Sequence, residues 1–247
     1  MATNVLSAHR CHSNPQVNCA DCRLASICLP ISLEIEDINK LDDIIQRGRP
    51  VQKGDHIYHA GNEFKSVYAL RSGAVKTIKV TQDGQEQVTG FYLPGELIGM
   101  DGLATNNHSN SAIALETSAV CEIPFTRLEE LSTRLPNLQR RFFQLMSKEI
   151  THDQQLITLL SKNSADERVA SLLLSISTRN SNRGLSANEF YLPMSRSDIG
   201  NYLGLTIETV SRVLSRLHKQ GMIELDKKHV VIKDMDELKS TASIPSI

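Results

Sequence analysis

Four of the five cysteines crowd into the first 28 residues (Cys11, Cys19, Cys22 and Cys28), and the fifth, Cys121, stands far from them. A thiolate is a soft, strongly metal-binding donor. The run Cys19-x2-Cys22-x5-Cys28 places three such donors within ten residues. If Cys121 approaches them, the set of four suits either a structural zinc or a four-iron cluster. Spacing alone does not choose between the two. Zinc sites more often come as two paired C-x2-C knuckles, whereas this chain offers one pair, one spaced ligand and one remote ligand. His9 and His12 keep a zinc site of three thiolates and one imidazole open. Cys11 is the odd one out, and an odd count argues against a disulfide framework. Asp21, Ser26 and Leu29 lie beside the thiolates, where they can only tune access to them.

A second set of residues is suited to reading DNA. In SRSDIGNYLGLTIETVSRVLSRLHKQGMI, Ser195 and Asp198 form an S-x-x-D variant of the capping box at a helix start. Ile199, Tyr202 and Leu203 give that helix its apolar face, Gly204 ends it, and Thr206 caps the next. In the second helix Val210, Val213, Leu214 and Leu217 turn inward, leaving Glu208, Ser211, Arg212 and Arg216 on the other face. Arginine can donate twice to guanine O6 and N7, glutamate can accept from the cytosine amino group, and serine can bond either way. Arg196, Ser197, Thr209 and Lys219 are expected to touch phosphate. Gly221 closes the helix, and MIELDKKHVVIK reads as a two-stranded wing turning near Asp226–Lys228.

These residues need elements to hold them. Residues 1–30 form a cysteine-rich segment with little apolar periodicity, needing a ligand to stay ordered. Residues 31–48 predict a short helix capped by Ser32, with Ile35, Ile38, Leu41, Ile44 and Ile45 as its stripe. From 50 to 125, β-prone segments alternate with turn residues, and Asp83-Gly84 marks a hairpin. An all-β sandwich or roll is therefore expected within a domain spanning 31–135. Residues 136–163 contain no Gly or Pro after Pro136 and predict one long helix. Residues 164–247 hold a further helix, a polar loop, the helix pair and the wing. The fold class expected is α+β.

The formal net charge is −1, so attraction to nucleic acid must come from local positive patches. No apolar run approaches the ~18 residues that span a bilayer, and MATNVLSAHRCHSN has no signal-peptide core. The expectation is a cytoplasmic protein with no membrane partner. The chain has no P-loop, G-x-S-x-G or H-E-x-x-H motif, so an enzyme is not expected. His56, His59 and His108 read as surface or satisfied loop residues.

The β roll, long helix, winged helix-turn-helix, cysteine spacing and IGNYLGLTIETVSR together resemble the cyclic-AMP receptor/FNR superfamily, and most closely its FNR-like regulators. The resemblance runs from about Cys11 to Lys233. It implies a sensor domain of cyclic-nucleotide-binding type, and a 4Fe–4S cluster held by Cys19, Cys22, Cys28 and Cys121. Regulators of this kind lose that form to 2Fe–2S in oxygen, and their dimer weakens. Their anaerobic dimer activates genes of anaerobic respiration and represses aerobic ones. The base-reading E-x-x-S-R pattern of the family falls on Glu208, Ser211 and Arg212, and its palindromic half-sites resemble TTGAT. Contact with RNA polymerase is implied near Arg71–Gly73 and Thr81–Gln87. One departure matters. Cyclic-nucleotide binders place Arg-Ser after the G-E-L segment to clamp phosphate, and this chain has Asn110-Ser111 there. Asparagine lacks the cationic bidentate contact, so cyclic AMP is not an expected ligand.

Phe143, Met146, Ile150, Asp153, Ile157 and Leu160 are spaced 3, 4, 3, 4, 3, which is an a/d seam for a homodimer. Phe142, Leu145, Leu156 and Leu159 are left to pack against the chain itself. In a parallel pair the two Asp153 carboxylates would face each other, repelled and desolvated. A seam weakened in this way can be decided by a modest contribution from the sensor. Asp153→Ala is therefore expected to dimerise even without cofactor. Light scattering that finds it as monomeric as the cofactor-free wild type would sink the idea.

Overall fold

The computed structural model describes residues 17–242, so Cys11, His9 and His12 lie outside the described residues. In chain order the elements begin with α1 (Ile35–Asp42), β1 (Gln46–Arg47), β2 (His56–Tyr58), β3 (Ser66–Ser72) and β4 (Val75–Val80). Next come β5 (Glu86–Tyr92), β6 (Leu97–Ile98), β7 (Ser111–Ala114), β8 (Ala119–Pro124), α2 (Phe125–Arg134) and α3 (Pro136–Lys162). The remainder is α4 (Ala165–Asn182), β9 (Glu189–Tyr191), α5 (Arg196–Leu203), α6 (Ile207–Lys219), β10 (Ile223–Asp226), β11 (His229–Ile232) and α7 (Met235–Ala242). The chain divides into two units. One comprises residues up to Val75 together with Tyr92–Phe142; the other comprises Lys76–Phe91 and everything from Phe143 onward.

In the first unit a four-stranded sheet runs β1-β8-β3-β6. Strand β8 is paired on both edges, and Cys121 lies between Ala69 of β3 and Arg47 of β1. β2 pairs with β7, bringing Tyr58 opposite Ala112. Tyr58, Leu70, Val75, Ile98 and Ala112 are buried as one core, and Tyr68, Tyr92 and Val120 pack against it. The short helix is narrower than its sequence pattern suggests. Ser32 is taken up in a 3-10 turn (Leu29–Ser32) around Pro30, the helix is capped at Glu34 without a side-chain bond, and Ile44 and Ile45 fall beyond it. The chain leaves the helix there because Gln46 and Arg47 pair with β8, which satisfies their backbone groups in the sheet. α2 was not foreseen; its N-terminus grows directly from β8, and Leu128 is its buried anchor.

In the second unit β4 and β5 form the hairpin marked by Asp83-Gly84, with Gly84 at φ +79°. The wing has three strands rather than two, in the order β10-β11-β9. β9 comes from the segment read as a loop, where Phe190 is buried opposite Val230. A C-terminal helix, α7, packs on α4 through Leu238 and Ala242. Three residues with one buried side chain gave too short a period to reveal β9.

The helix-turn-helix forms as its local chemistry dictates. Ser195 accepts from the Asp198 amide (3.0 Å) while Asp198 accepts from the Ser195 amide (3.0 Å). Gly204 takes the left-handed conformation at φ 62° that stops α5. Thr206 then caps α6 through the Thr209 amide (3.2 Å). Gly200 does a different job. A Cβ there would lie 2.6 Å from the Leu205 carbonyl oxygen, inside the turn between the helices. Gly200→Ala should therefore destabilise this unit by ~1–3 kcal/mol through overpacking. Thermal melts read by circular dichroism check it, and a melt matching wild type would disprove the close approach.

Candidate thiolate site and nucleic-acid interface

Cys19, Cys22, Cys28 and Cys121 line a single cavity, together with Leu24, Ala25, Leu29, Leu41, Ile45 and Arg71 among others. The first three are set by short turns: the Cys22 amide donates to the Cys19 carbonyl (3.4 Å), and the Cys28 amide to that of Leu24 (2.9 Å). The Cys19 amide donates to Asp42 Oδ1 (2.7 Å), which anchors the turn to the end of α1. Arg47 donates to the same carboxylate and reaches the Cys19 sulfur at 3.8 Å. Burial raises the Asp42 carboxyl, but hydrogen bonds from Arg47 and the Cys19 amide outweigh it and hold the group below its usual range.

Burial also pushes the Cys28 thiol up to about 12, aided by Cys121 and Cys22 and opposed by the Leu29 amide and Arg141. Cys19 is raised by burial and by Asp42, and Cys121 by burial against the pull of Arg47 and Arg71. These groups are thus held as thiols until something takes their protons. Among the described residues no group of three or more His, Cys, Asp or Glu is arranged to hold a metal ion as it stands. The donor chemistry nonetheless fits a thiolate-bound group, since four sulfurs from two distant segments share one largely apolar cavity.

The second site lies on α5 and α6. Arg196, Ser197, Glu208 and Arg212 are exposed, while Thr209 and Ser211 are half-buried between them. Arg196 donates to Ser211 Oγ (3.2 Å) and Arg212 to Thr209 Oγ1 (3.2 Å), so the set is a contiguous patch. The Glu208 amide and the Thr206 hydroxyl hold the Glu208 carboxyl below its usual range. Arg216, on the outer face as expected, is engaged with Asp166 (2.6 Å). Sequence reasoning missed Arg168. It donates to the carbonyls of Leu203 (2.9 Å), Leu160 (2.8 Å) and Asn163 (2.9 Å), capping the ends of α5 and α3 at once. An arginine four residues into α4, after the Ser164 cap, was the only signal for it.

Comparison with known proteins identifies this architecture. The profile of the cyclic nucleotide-binding domain matches residues 48–134, and that of the Crp-like helix-turn-helix domain matches residues 167–241. The chain is 54% identical over 224 residues to the transcriptional activator protein anr of Pseudomonas aeruginosa, covering 91% of this chain and 92% of that protein. It is 47% identical over 226 residues to the fumarate and nitrate reduction regulatory protein of Escherichia coli, covering 92% and 90%. The solved structure of FixK2 from Bradyrhizobium japonicum superposes with a TM-score of 0.75 at 31% identity, covering 81% of this chain and 98% of that one. The chain belongs to the CRP/FNR family. It is a transcription regulator of the FNR type, a DNA-binding protein and not an enzyme, as its relatives are. No helix among the described residues is long and apolar enough to cross a membrane.

Within this CRP/FNR chain the segment after Gly95-Glu96-Leu97 is closed on a carboxylate of its own. Asp101 Oδ2 accepts from the Ser109 amide (2.8 Å), the Asn110 amide (2.9 Å) and the Ser109 hydroxyl (3.1 Å). Asp101 Oδ1 meets His108 Nδ1 at 3.1 Å, and the buried His108 ring stacks on Tyr58 at 3.9 Å. Ser111 accepts from the Ala60 amide (2.9 Å). The sequence reading pointed to Asn110-Ser111 but overlooked Asp101, whose signal was a carboxylate preceding the donor-rich run His108-Ser109-Asn110. On α3, Phe143, Ile150 and Ile157 are 59%, 57% and 66% exposed, whereas Phe142 and Leu159 are buried. Asp153 is exposed on the same row, and Met146 and Leu160 are half-buried.

Asp198 binds α5 to the β4–β5 hairpin as well as capping it. Its Oδ1 accepts from Lys76 Nζ at 2.7 Å. Burial raises the Asp198 carboxyl, but bonds from Lys76 and Ser195 more than reverse this, and the group sits below its usual range. A carboxyl with a lowered folded value stabilises the fold above its unfolded value, near ~3.9, and loses that contribution as pH falls through the folded one. Asp198→Ala should cost about 1 kcal/mol at neutral pH. In melts repeated down the pH scale, the gap from wild type should close below about pH 4. An equal gap at pH 3 and pH 7 would refute the electrostatic account.

Proposed function

We propose that this FNR-type regulator responds to oxygen through a 4Fe–4S cluster bound by Cys19, Cys22, Cys28 and Cys121. The observation that carries the reading is that these four thiols, drawn from two distant segments, line one cavity. Bound there, the cluster supplies an oxygen-labile cross-link between the N-terminal loop and β8. Arg47 and Arg71 face the accumulating thiolate charge, and Asp42 holds Cys19 in place. With the four thiols held, two chains join along Phe143, Met146, Ile150, Asp153, Ile157 and Leu160; the exposed apolar row on α3 supports this. The dimer sets two α6 helices on a palindrome of TTGAT-like half-sites. Arg212, Glu208 and Ser211 read bases, while Arg196, Ser197, Thr209 and Lys219 hold phosphates. Surfaces near Arg71–Gly73 and the exposed Thr81–Gln87 tip meet RNA polymerase. The protein works in the cytoplasm, activating genes of anaerobic respiration and repressing aerobic ones. Cyclic AMP is not its ligand, because Asp101 already holds the amides of Ser109 and Asn110.

The protein purified without oxygen should show a broad absorption band near ~400 nm that changes shape in air, with DNA binding lost in parallel. A colourless preparation with one zinc per chain would overturn the oxygen-sensing part and leave DNA binding standing. Calorimetric titration of the same sample with cyclic AMP should give no saturable heat, and a saturable isotherm would overturn the assignment of Asp101.

A further inference from the structure

Arg141 lies in the first turns of α3 and is 6% exposed. A guanidinium has five N–H donors, no acceptor, and remains charged in proteins, so its burial demands acceptors. Here Nε donates to the Cys28 carbonyl (3.2 Å) and Nη2 to the Ile27 carbonyl (2.5 Å). Two successive carbonyls meet the same cation because the loop turns back on itself. The amides of Ile27 and Cys28 both donate to the Leu24 carbonyl, at 3.0 and 2.9 Å. Leu138, Arg141 and Phe142 are buried on the same face of α3. The loop is also gripped from another side: a Cβ at Gly95 would lie 2.5 Å from Ile27 Cδ1.

We propose that Arg141 is the positioning residue that transmits the state of the Cys19–Cys28 loop to α3, an inference that rests on reading the four thiols as ligands of one group. With the thiols held together, the Leu24–Cys28 turn is rigid and its carbonyls seat the guanidinium. With the thiols released, the turn relaxes, and Arg141 must exchange those carbonyls for water. The start of α3 follows. No Gly or Pro interrupts the helix after Pro136, so it responds as a rod, and the apolar row begins two residues on at Phe143. Lysine cannot replace this contact, since an ammonium is a point charge without the planar fork that spans two carbonyls.

The test compares full-length wild type with Arg141→Met and Arg141→Lys, all prepared without oxygen. Iron per chain and the absorption band report loading, light scattering reports dimerisation, and amide hydrogen exchange reports residues 24–30 and 138–146. Arg141→Met should load iron as wild type does, yet its dimer should dissociate about tenfold more readily. Loading should no longer slow exchange in residues 138–146, and Arg141→Lys should fall between. A loaded Arg141→Met that dimerises like wild type overturns the proposal. So does one that folds but loads no iron, because Arg141 would then build the site rather than relay its state. A colourless wild type would instead sink the sensor reading, and exchange at residues 24–30 then decides: faster in Arg141→Met supports the grip, and unchanged refutes it.

Discussion

The pairing of β8 on both edges is the constraint on which the rest depends. Hydrogen bonds from β3 and β1 leave this strand no freedom to slide, because a one-residue slip would turn Ile123 out of the core. That register brings Cys121 beside Arg47 and into the cavity of the three N-terminal cysteines. The same run of chain continues into α2 and α3 and so delivers Arg141 to the carbonyls of Ile27 and Cys28. One stretch of backbone therefore carries both a proposed ligand and the proposed relay.

With a net charge of −1, the chain has no general attraction for a polyanion. Its arginines divide by environment. Arg47, Arg141 and Arg168 are tied to carboxylates or main-chain carbonyls, where they fix loops and helix ends. Arg196 and Arg212 are exposed and donate to the neutral hydroxyls of Ser211 and Thr209, contacts weak enough to be exchanged for phosphate or a base edge. Arginine suits both tasks because its fork stays charged whether buried or wet.

Residues 48–134 keep the frame of a cyclic nucleotide-binding domain, and Asp101 supplies an anion within it. Asp101 gathers two amides, a hydroxyl and an imidazole. Backbone donors that a bound phosphate could have satisfied are thus met within the chain. The chemistry of sensing is proposed at the cysteines instead.

What the sequence by itself determined is local. The Ser195–Asp198 capping box, the Gly204 stop, the Thr206 cap and the inward stripe Val210, Val213, Leu214 and Leu217 all lie within a few turns, where spacing alone dictates geometry. The long helix and the Asp83-Gly84 hairpin were legible for the same reason. The family followed from motifs of this kind. Tertiary structure decided what depends on distant partners. Strand β9 exists because Phe190 finds Val230, and α1 stops early because Arg47 finds Cys121 across a sheet. Arg141, Arg168 and Asp101 carry no motif: each is one polar residue whose role is set by backbone groups that other segments bring to it. Short-range pattern cannot encode such meetings, because the energy that selects them arises only when buried donors and acceptors must satisfy one another.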